Sequence, residues 1–305
     1  MSDLPAGITR DFPLARLTTI RAGGAAELFA RPGTVSELET LLAWADERGI
    51  EVGVVGSGSN LLVADTGVRG LVLKLDRQLS EIELDGTRIN CGGGARLPAV
   101  SARAARAGLS GIEFGVNIPG TVGGAVKMNA NAYGGELARA LDWVDVASAS
   151  GTERRSPDQL GFAYRRSALG KGEIVARAAF ALHRAPSDEV RLTLAEMRSW
   201  RKEAQPSGIK TFGSTFKNPD DPRAEGRSAG QLLQAAGCQG LRIGGAGFSP
   251  KHANFVENVG DATTADVVAL MAEGRRRVKE RFGVELEPEV QSLGPVAFPD
   301  DWRLK

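Results

Sequence analysis

The sequence predicts an α+β fold, and three observations carry that expectation. Residues 141–149, 151–155 and 173–182, separated by turn signals, read as strands of one antiparallel sheet. Residues 81–92 alternate around Asp85-Gly86, the pattern of a hairpin. The glycine segment Gly56-Ser57-Gly58-Ser59-Asn60 leads into Leu61-Leu62-Val63-Ala64-Asp65, a short apolar run closed by a turn. A doubly wound dinucleotide fold needs a helix at that place, so the glycines form a loop between two strands.

The other elements follow in order. Thr18 to Arg31 reads as extended, with Gly23-Gly24 as a turn and a short strand at Ala26-Glu27-Leu28-Phe29. Thr34 and Glu37 have capping-box spacing. They open a helix whose apolar face is Leu38, Leu41, Leu42 and Ala45 and which stops at Gly49. Residues 51–55 and 70–76 read as strands, and 97–108 as a helix with Gly108 past its C-terminus. Residues 115–135 read as a loop. A long helix over 187–203 ends at Gln205-Pro206-Ser207-Gly208, which marks a boundary. The expected division is 1–76, 77–204 and 205–305. In the last part, helices are expected at 229–236 and 264–281, the latter capped by Thr263 or Thr264, with strands at 255–258 and 284–294. Arg275-Arg276-Arg277 reads as the solvated last turn of its helix.

Composition narrows the function classes. The 305 residues suffice for two or three packed subdomains. The formal net charge of +1, with Lys and Arg spread along the chain, gives no pull toward nucleic acid or an anionic membrane. No apolar run approaches the roughly 20 residues that span a bilayer, and the first ten residues lack a signal pattern. Two cysteines far apart, Cys91 and Cys238, point to neither a disulfide framework nor a zinc site. A soluble, cytoplasmic protein without a metal is expected.

Chemistry is suggested by two glycine-rich segments, at Gly56 and over 115–135. Glycine lets backbone N–H groups approach a ligand without a Cβ in the way, and successive N–H groups make a concavity suited to phosphate. Two tight turns would explain either segment alone; together they suggest a large phosphate-bearing ligand. Phe212-Gly213-Ser214-Thr215-Phe216-Lys217-Asn218-Pro219 reads as a turn presenting a serine, a lysine and an amide. Ser214 does not sit in a nucleophile elbow. Its hydroxyl can instead donate a proton if a nearby charge such as Lys217 stabilises the alkoxide. Arg165, Glu289 and His252 are ambiguous taken singly: a turn arginine, a solvated carboxylate and an interior histidine. His183 reads as a surface residue.

In order along the chain, the motifs resemble the UDP-N-acetylenolpyruvoylglucosamine reductase family. They are Gly-Ser-Gly-Ser-Asn-Leu-Leu at Gly56, Ile-Pro-Gly-Thr-Val-Gly-Gly-Ala at Ile118, Tyr164-Arg165-Arg166-Ser167, Gly213 to Pro219, Lys251-His252-Ala253-Asn254-Phe255 and Glu287-Pro288-Glu289-Val290. The resemblance runs from about Thr18 to Gly294. It implies a two-subdomain FAD-binding fold of the vanillyl-alcohol-oxidase type plus a C-terminal α+β substrate-binding domain, in the compact branch of the family.

The resemblance also implies the activity and its residues. FAD would be bound non-covalently by Val55, Gly56, Ser57, Gly58, Ser59, Asn60, Asn117, Ile118, Pro119, Gly120, Thr121, Gly123, Gly124, Ala125 and Val175. NADPH would reduce it and leave. UDP-N-acetylglucosamine enolpyruvate would then take hydride at C3 from flavin N5, giving UDP-N-acetylmuramate for peptidoglycan synthesis. Ser214 would protonate C2, and Arg165 and Glu289 would complete the catalytic set. Tyr164, Arg201, Lys217 and Asn218 would hold substrate. A monomer working on small molecules is expected. Three positions depart from the family pattern: Asn117 and Asn131 where glycine is usual, and Thr18 where asparagine is common. Asparagine tolerates left-handed backbone, so the loops are expected to keep their shape. Two rival readings are a sugar or alcohol oxidase of the same superfamily and a non-catalytic nucleotide binder. Many such oxidases attach flavin through His or Cys, and neither glycine segment contains one. Binding alone needs no acid at Ser214.

Overall fold

The computed structural model describes residues 4–300 and 302. The α+β expectation holds: helices pack on largely antiparallel sheets. The chain forms two compact units. One comprises Met1–Arg10, Leu28–Ser57 and Gly70–Arg201; the other comprises Asp11–Glu27, Gly58–Arg69 and Lys202–Lys305.

The first unit is built on a five-stranded antiparallel sheet. Its order is Gly151–Arg155, Leu141–Ser148, Ile174–Ala181, Arg88–Gly92, Ile82–Asp85. The last two strands are the expected hairpin, with Asp85 opposite Arg88. Helix α1 (Val35–Asp46) packs on one face, burying Leu38, Leu41 and Leu42 with Ile174 and Ala176. Thr34 caps α1 by accepting from Glu37 N, but the Glu37 carboxylate reaches past the cap to Gly33 N and Arg77. Only half of the capping box therefore forms. Helices α2 (Leu97–Arg106), α3 (Val122–Lys127) and α4 (Leu137–Ala140) contribute Leu97, Val100, Val122, Val126 and Leu137 to the other core, which includes Val175, Ala178 and Phe180. A bulge at Ala176, between the pairs Asp145–Arg177 and Val146–Val175, switches the side-chain alternation of the central strand. Helix α5 (Ser187–Ala204) places Val190 and Leu194 on a small cluster with Ala105 and Val116.

Residues 115–135 are not one loop. A 3-10 turn (Glu113–Asn117), α3 and a tiny hairpin (Asn131–Ala132 with Gly135–Glu136) occupy most of them. The glycines here serve close approach. Gly123 N donates to Gly93 O, and Gly93 N donates to Ala176 O. A Cβ on Gly93 would collide with the carbonyl of Val175.

The second unit holds an antiparallel sheet ordered Thr211–Ser214, Phe255–Asn258, Ala246–Phe248, Arg242–Ile243. Helices α6 (Ala229–Ala235) and α7 (Thr264–Phe282) bury Leu232, Leu233, Val267, Leu270 and Met271 with Phe212, Phe216 and Phe248. Thr263 caps α7, and the Asp65 carboxylate accepts from Thr264 N and Ala265 N in its first turn. Of the turn expected over 212–219, Phe212, Gly213 and Ser214 instead belong to the strand Thr211–Ser214, bulged opposite Phe255–Asn258. The expected strand over 284–294 is ladder only at Gln291–Leu293, parallel to Leu61–Val63. Before that it bonds a different partner: Lys217 N donates to Glu287 O, and Glu289 N to Thr215 O. A segment that changes partner around Pro288, which has no N–H, cannot run as one strand.

The arginine run of α7 is not a solvated end. Arg275 Nε donates to Leu286 O and its guanidinium lies 5.6 Å from the Trp302 ring centre. Arg277 bonds Glu273 and the Gly237 carbonyl. Arg276 is the outward member, paired with Glu273 and Glu280.

Asn254 is the pin of the second unit. Its side chain is buried, Oδ1 accepts from Phe216 N, Nδ2 donates to Phe216 O, and its own carbonyl accepts from Thr215 N. Removing the carboxamide strands two buried backbone groups. Asn254→Ala is therefore expected to cost about 2–4 kcal/mol, read by denaturant unfolding; a loss under about 0.5 kcal/mol would show that the pin is unimportant. A second expectation concerns Glu273, whose pKa is pulled down to about 2 by Arg276 and Arg277. A depressed carboxylate contributes stability above its unfolded-state value and loses it as pH falls through the folded one. Glu273→Gln should be destabilised by about 0.5 kcal/mol at pH 7. The gap to wild type should close between about pH 5 and pH 2, and a gap independent of pH would contradict this.

Candidate active site

In the first unit the residues expected to hold FAD cluster around α3. Val55 is buried, with its N–H on Leu73 O, and Gly56 O accepts from Lys74 Nζ at 2.6 Å. Burial, with Arg31 and Arg96 nearby, lowers the Lys74 pKa. A Cβ on Gly56 would sit 2.5 Å from Thr121 Oγ1, so the two predicted glycine segments meet here. Thr121 caps α3, its hydroxyl accepting from Gly124 N. Ala125 N bonds Thr121 O, and Val175 is buried with its carbonyl facing Gly93 and Gly123. Among the described residues the N–H groups of Ser57, Gly120 and Thr121 have no protein acceptor, whereas those of Gly123, Gly124 and Ala125 are taken internally. Beside them Ile118 is half-buried and Pro119 exposed, and Ile118 N bonds Gly115 O.

Asn117 and Asn131 do not use the left-handed backbone that their place in glycine patterns suggests; among nearby residues Asn129 and Tyr133 do. The asparagine side chains instead make contacts that glycine could not. Asn117 Nδ2 donates to Tyr133 Oη and to Met197 O, both at 2.7 Å. Asn131 Oδ1 accepts from Arg165 Nη1 at 2.9 Å.

Arg165 sits at the second corner of a tight turn closed by reciprocal bonds between Ala163 and Arg166. Its φ of 56° is left-handed, a conformation that costs a non-glycine residue of order 1 kcal/mol. The turn is held from outside: Asn129 Nδ2 donates to Ala163 O, Ser167 Oγ to Lys127 O, and Lys127 Nζ to Leu169 O. The Tyr164 ring is exposed, its centre 5.2 Å from the Arg165 guanidinium. Arg201, near the end of α5, is largely withdrawn from water, which lowers its pKa.

In the second unit, Ser59, Asn60, Ser214, Lys217 and Glu289 are drawn together by backbone bonds. Gly213, at φ 83°, faces the Ser59 carbonyl: a Cβ there would lie 3.6 Å from it. Asn60 Nδ2 donates to Glu289 O at 3.2 Å, Gln291 N to Asn60 O, and Glu289 N to Thr215 O. The Ser214 strand end thus lies beside the backbone of Glu289. Ser214 is half-buried, and its hydroxyl has no hydrogen-bond partner among the described residues. Lys217 Nζ lies 3.4 Å from Glu287. Asn218 is exposed, and its Oδ1 accepts from Ala229 N at the start of α6. The N–H groups of Gly58, Ser59 and Asn60 have no protein acceptor among the described residues, while Gly58 O accepts from Thr19. The buried Thr18 hydroxyl closes the neighbouring turn on Ala15 O and Ala22 O. Backbone donors without internal acceptors, lined by glycines that a Cβ would crowd, fit the phosphates of a flavin dinucleotide.

Two positioning groups escaped the sequence reading. Asn254 was masked by its neighbour His252, whose Nδ1 accepts from Asn254 N and whose burial lowers its pKa. Asn129 is fully buried and bonds Glu136 and Ala163 O. A polar residue at left-handed φ in a glycine-rich stretch leaves no periodic signal. His183 is exposed, as expected. Both cysteines are free and buried, with burial pushing the thiols up to about 12 for Cys91 and about 11 for Cys238. Among the described residues no His, Cys, Asp and Glu group could hold a metal ion, and no helix is long and apolar enough to cross a membrane.

Comparison with known proteins joins these observations. Residues 205–293 match the family model for the UDP-N-acetylenolpyruvoylglucosamine reductase C-terminal domain, and residues 26–156 match that of an FAD binding domain. The UDP-N-acetylenolpyruvoylglucosamine reductase of Rubrobacter xylanophilus is 42% identical over 93% of this chain and 94% of its own length. That of Anaeromyxobacter sp. is 44% identical over 94% and 89%. The crystal structure of the Thermus caldophilus enzyme is 39% identical, with a TM-score of 0.81 over 93% of this chain and 98% of that one. Two phosphate-ready backbone cradles, an FAD-type first half and near-full-length likeness to these enzymes lead to one assignment: the chain belongs to the UDP-N-acetylenolpyruvoylglucosamine reductase family, an FAD oxidoreductase family.

Proposed function

We propose that the chain reduces UDP-N-acetylglucosamine enolpyruvate to UDP-N-acetylmuramate with NADPH as reductant, residues 1–204 holding FAD and residues 205–305 the substrate. The observation that carries the reading is the backbone weave of Ser214, Glu289 and Asn60: it leaves one hydroxyl, Ser214 Oγ, without a partner among the described residues, beside a carboxylate-bearing strap. FAD, when bound, supplies the two-electron chemistry between NADPH and the enolpyruvyl double bond. The phosphates of the cofactor would lie on the N–H groups around Ser57 to Asn60 and at Gly120 and Thr121.

The chain's own residues handle charge and protons. Hydride arriving at C3 leaves electron density at C2 that spreads into the carboxylate. A fixed guanidinium facing that carboxylate stabilises it, and we assign this to Arg165. Ser214 Oγ–H gives its proton to C2. The alkoxide left behind is stabilised by the Lys217 charge and takes a proton from solvent, restoring the hydroxyl, and Glu289 orients this proton path. Tyr164, Arg201 and Lys217 are assigned to substrate. Asn218 has its oxygen committed to the start of α6, so only its NH₂ is available as a donor.

The test separates the two half-reactions. Ser214→Ala should be reduced by NADPH at the wild-type rate, followed by flavin absorbance under anaerobic conditions. Its reoxidation by the enolpyruvyl substrate should fall by about 10²–10⁴-fold. Reoxidation at the wild-type rate would remove Ser214 as proton donor. Failure of wild-type reduced protein to be reoxidised at all would overturn the substrate assignment.

A further inference from the structure

We infer that Lys74 is a positioning residue for the diphosphate of FAD: by holding the Gly56 carbonyl it turns the Ser57 N–H to the opposite side, toward a phosphate oxygen, and polarises that donor. The inference rests on the assignment of the cofactor's phosphates to the N–H groups that begin at Ser57. It deepens that assignment by naming the group that sets the first of them.

The geometry lies within the first unit. Val55 is still tied to the sheet through its N–H on Leu73 O, and the chain leaves the sheet at Gly56. Lys74 follows the strand Val68–Leu73 and is anchored by its own N–H on Ala30 O. From there its ammonium donates to Gly56 O at 2.6 Å. The Gly56–Ser57 peptide is trans, so its C=O and N–H point in opposite directions. A cation on the carbonyl therefore fixes the N–H on the far side, and that N–H has no protein acceptor among the described residues. Gly56 is also closely packed, since a Cβ on it would lie 2.5 Å from Thr121 Oγ1. A charged donor bonds a carbonyl more strongly than a neutral one, and the polarisation passes through the peptide to its N–H. Lys74 is short of counter-charge. It is half-buried, its only side-chain hydrogen bond among the described residues is the one to Gly56 O, and no carboxylate there lies within ion-pair distance of it. The Asp76 carboxylate is engaged by Arg31 at 3.7 Å. Burial, with Arg31 and Arg96 adding like charge, lowers the Lys74 pKa against the pull of Asp76. An anion on the far side of the Gly56–Ser57 peptide relieves this imbalance, and a diphosphate is such an anion.

The holoprotein tests this through its affinity for FAD, read as free FAD in the ultrafiltrate on serial dilution, with Tm checked first. Lys74→Met keeps the apolar stem and removes both the donor and the charge, and its Kd for FAD should rise by roughly tenfold to a hundredfold. Ser57→Pro removes the N–H itself and should weaken FAD binding by a similar factor. In the double variant the two losses should not add, because Lys74 acts through that N–H. A merely structural Lys74 would lower affinity by the same factor in both backgrounds, and that result would overturn the inference. Wild-type affinity in Lys74→Met beside weak binding by Ser57→Pro would overturn the inference alone. Wild-type affinity in Ser57→Pro would remove the phosphate assignment on which it rests. If Lys74→Met does not fold, Lys74→Gln, with a shorter and neutral donor, is read in the same way.

Discussion

The two hydrogen bonds between the Asn254 carboxamide and the backbone of Phe216 hold together the part of the molecule on which the proposed proton donor sits. Ser214 lies on a bulged strand end where the ladder to Phe255–Asn258 lapses, and buried backbone groups there must find partners outside a sheet. Asparagine meets that need because its side chain carries a donor and an acceptor in the geometry of a peptide group. The same solution recurs at several irregular segments that bear candidate site residues. Asn60 bonds the Glu289 carbonyl, Asn129 the Ala163 carbonyl, Asn218 the start of α6 and Asn117 the Met197 carbonyl. Regular elements supply the cores; carboxamides complete the segments between them.

A second constraint is backbone crowding. Gly123, Gly93 and the bulged residue Ala176 form a chain of main-chain bonds in which α3, the turn after Arg88–Gly92 and the central strand meet without side chains between them. The side-chain-poor stretch that looked like a ligand loop is thus partly structural: most of its N–H groups, those of Ile118, Val122, Gly123, Gly124 and Ala125 among them, are spent on the fold, and those of Gly120 and Thr121 have no protein acceptor among the described residues. Glycine enrichment alone could not apportion these uses, because close packing of backbone on backbone and of backbone on phosphate both exclude Cβ.

Strain marks the site. Arg165 and Tyr133 both hold left-handed backbone that neither side chain favours, and each is over-determined by neighbouring bonds. Conformations of this kind persist where the surroundings pay their cost and are concentrated at functional segments. Here the two strained turns are linked through Asn131 and Asn117, the two positions where this chain departs from a glycine pattern.

Much of the architecture was legible in the chain itself. Alternation and turn chemistry located the five-stranded sheet, and apolar periodicity with capping residues located α1, α2, α5, α6 and α7, because those signals are local. Ordered motifs brought out Arg165, Ser214 and Glu289 as candidates. What the chain alone could not decide was every feature that depends on a distant partner. Residues 284–290 look like a strand but change partner at Pro288. Arg275 and Arg277 look solvated but are claimed by Leu286, Trp302 and Gly237. Asn117 and Asn131 look like glycine substitutes tolerated for their backbone, yet act through their side chains. Sequence determines propensity, pattern and the chemical inventory. Which backbone group each carboxamide reaches is settled only when segments far apart in the chain are brought within hydrogen-bond distance.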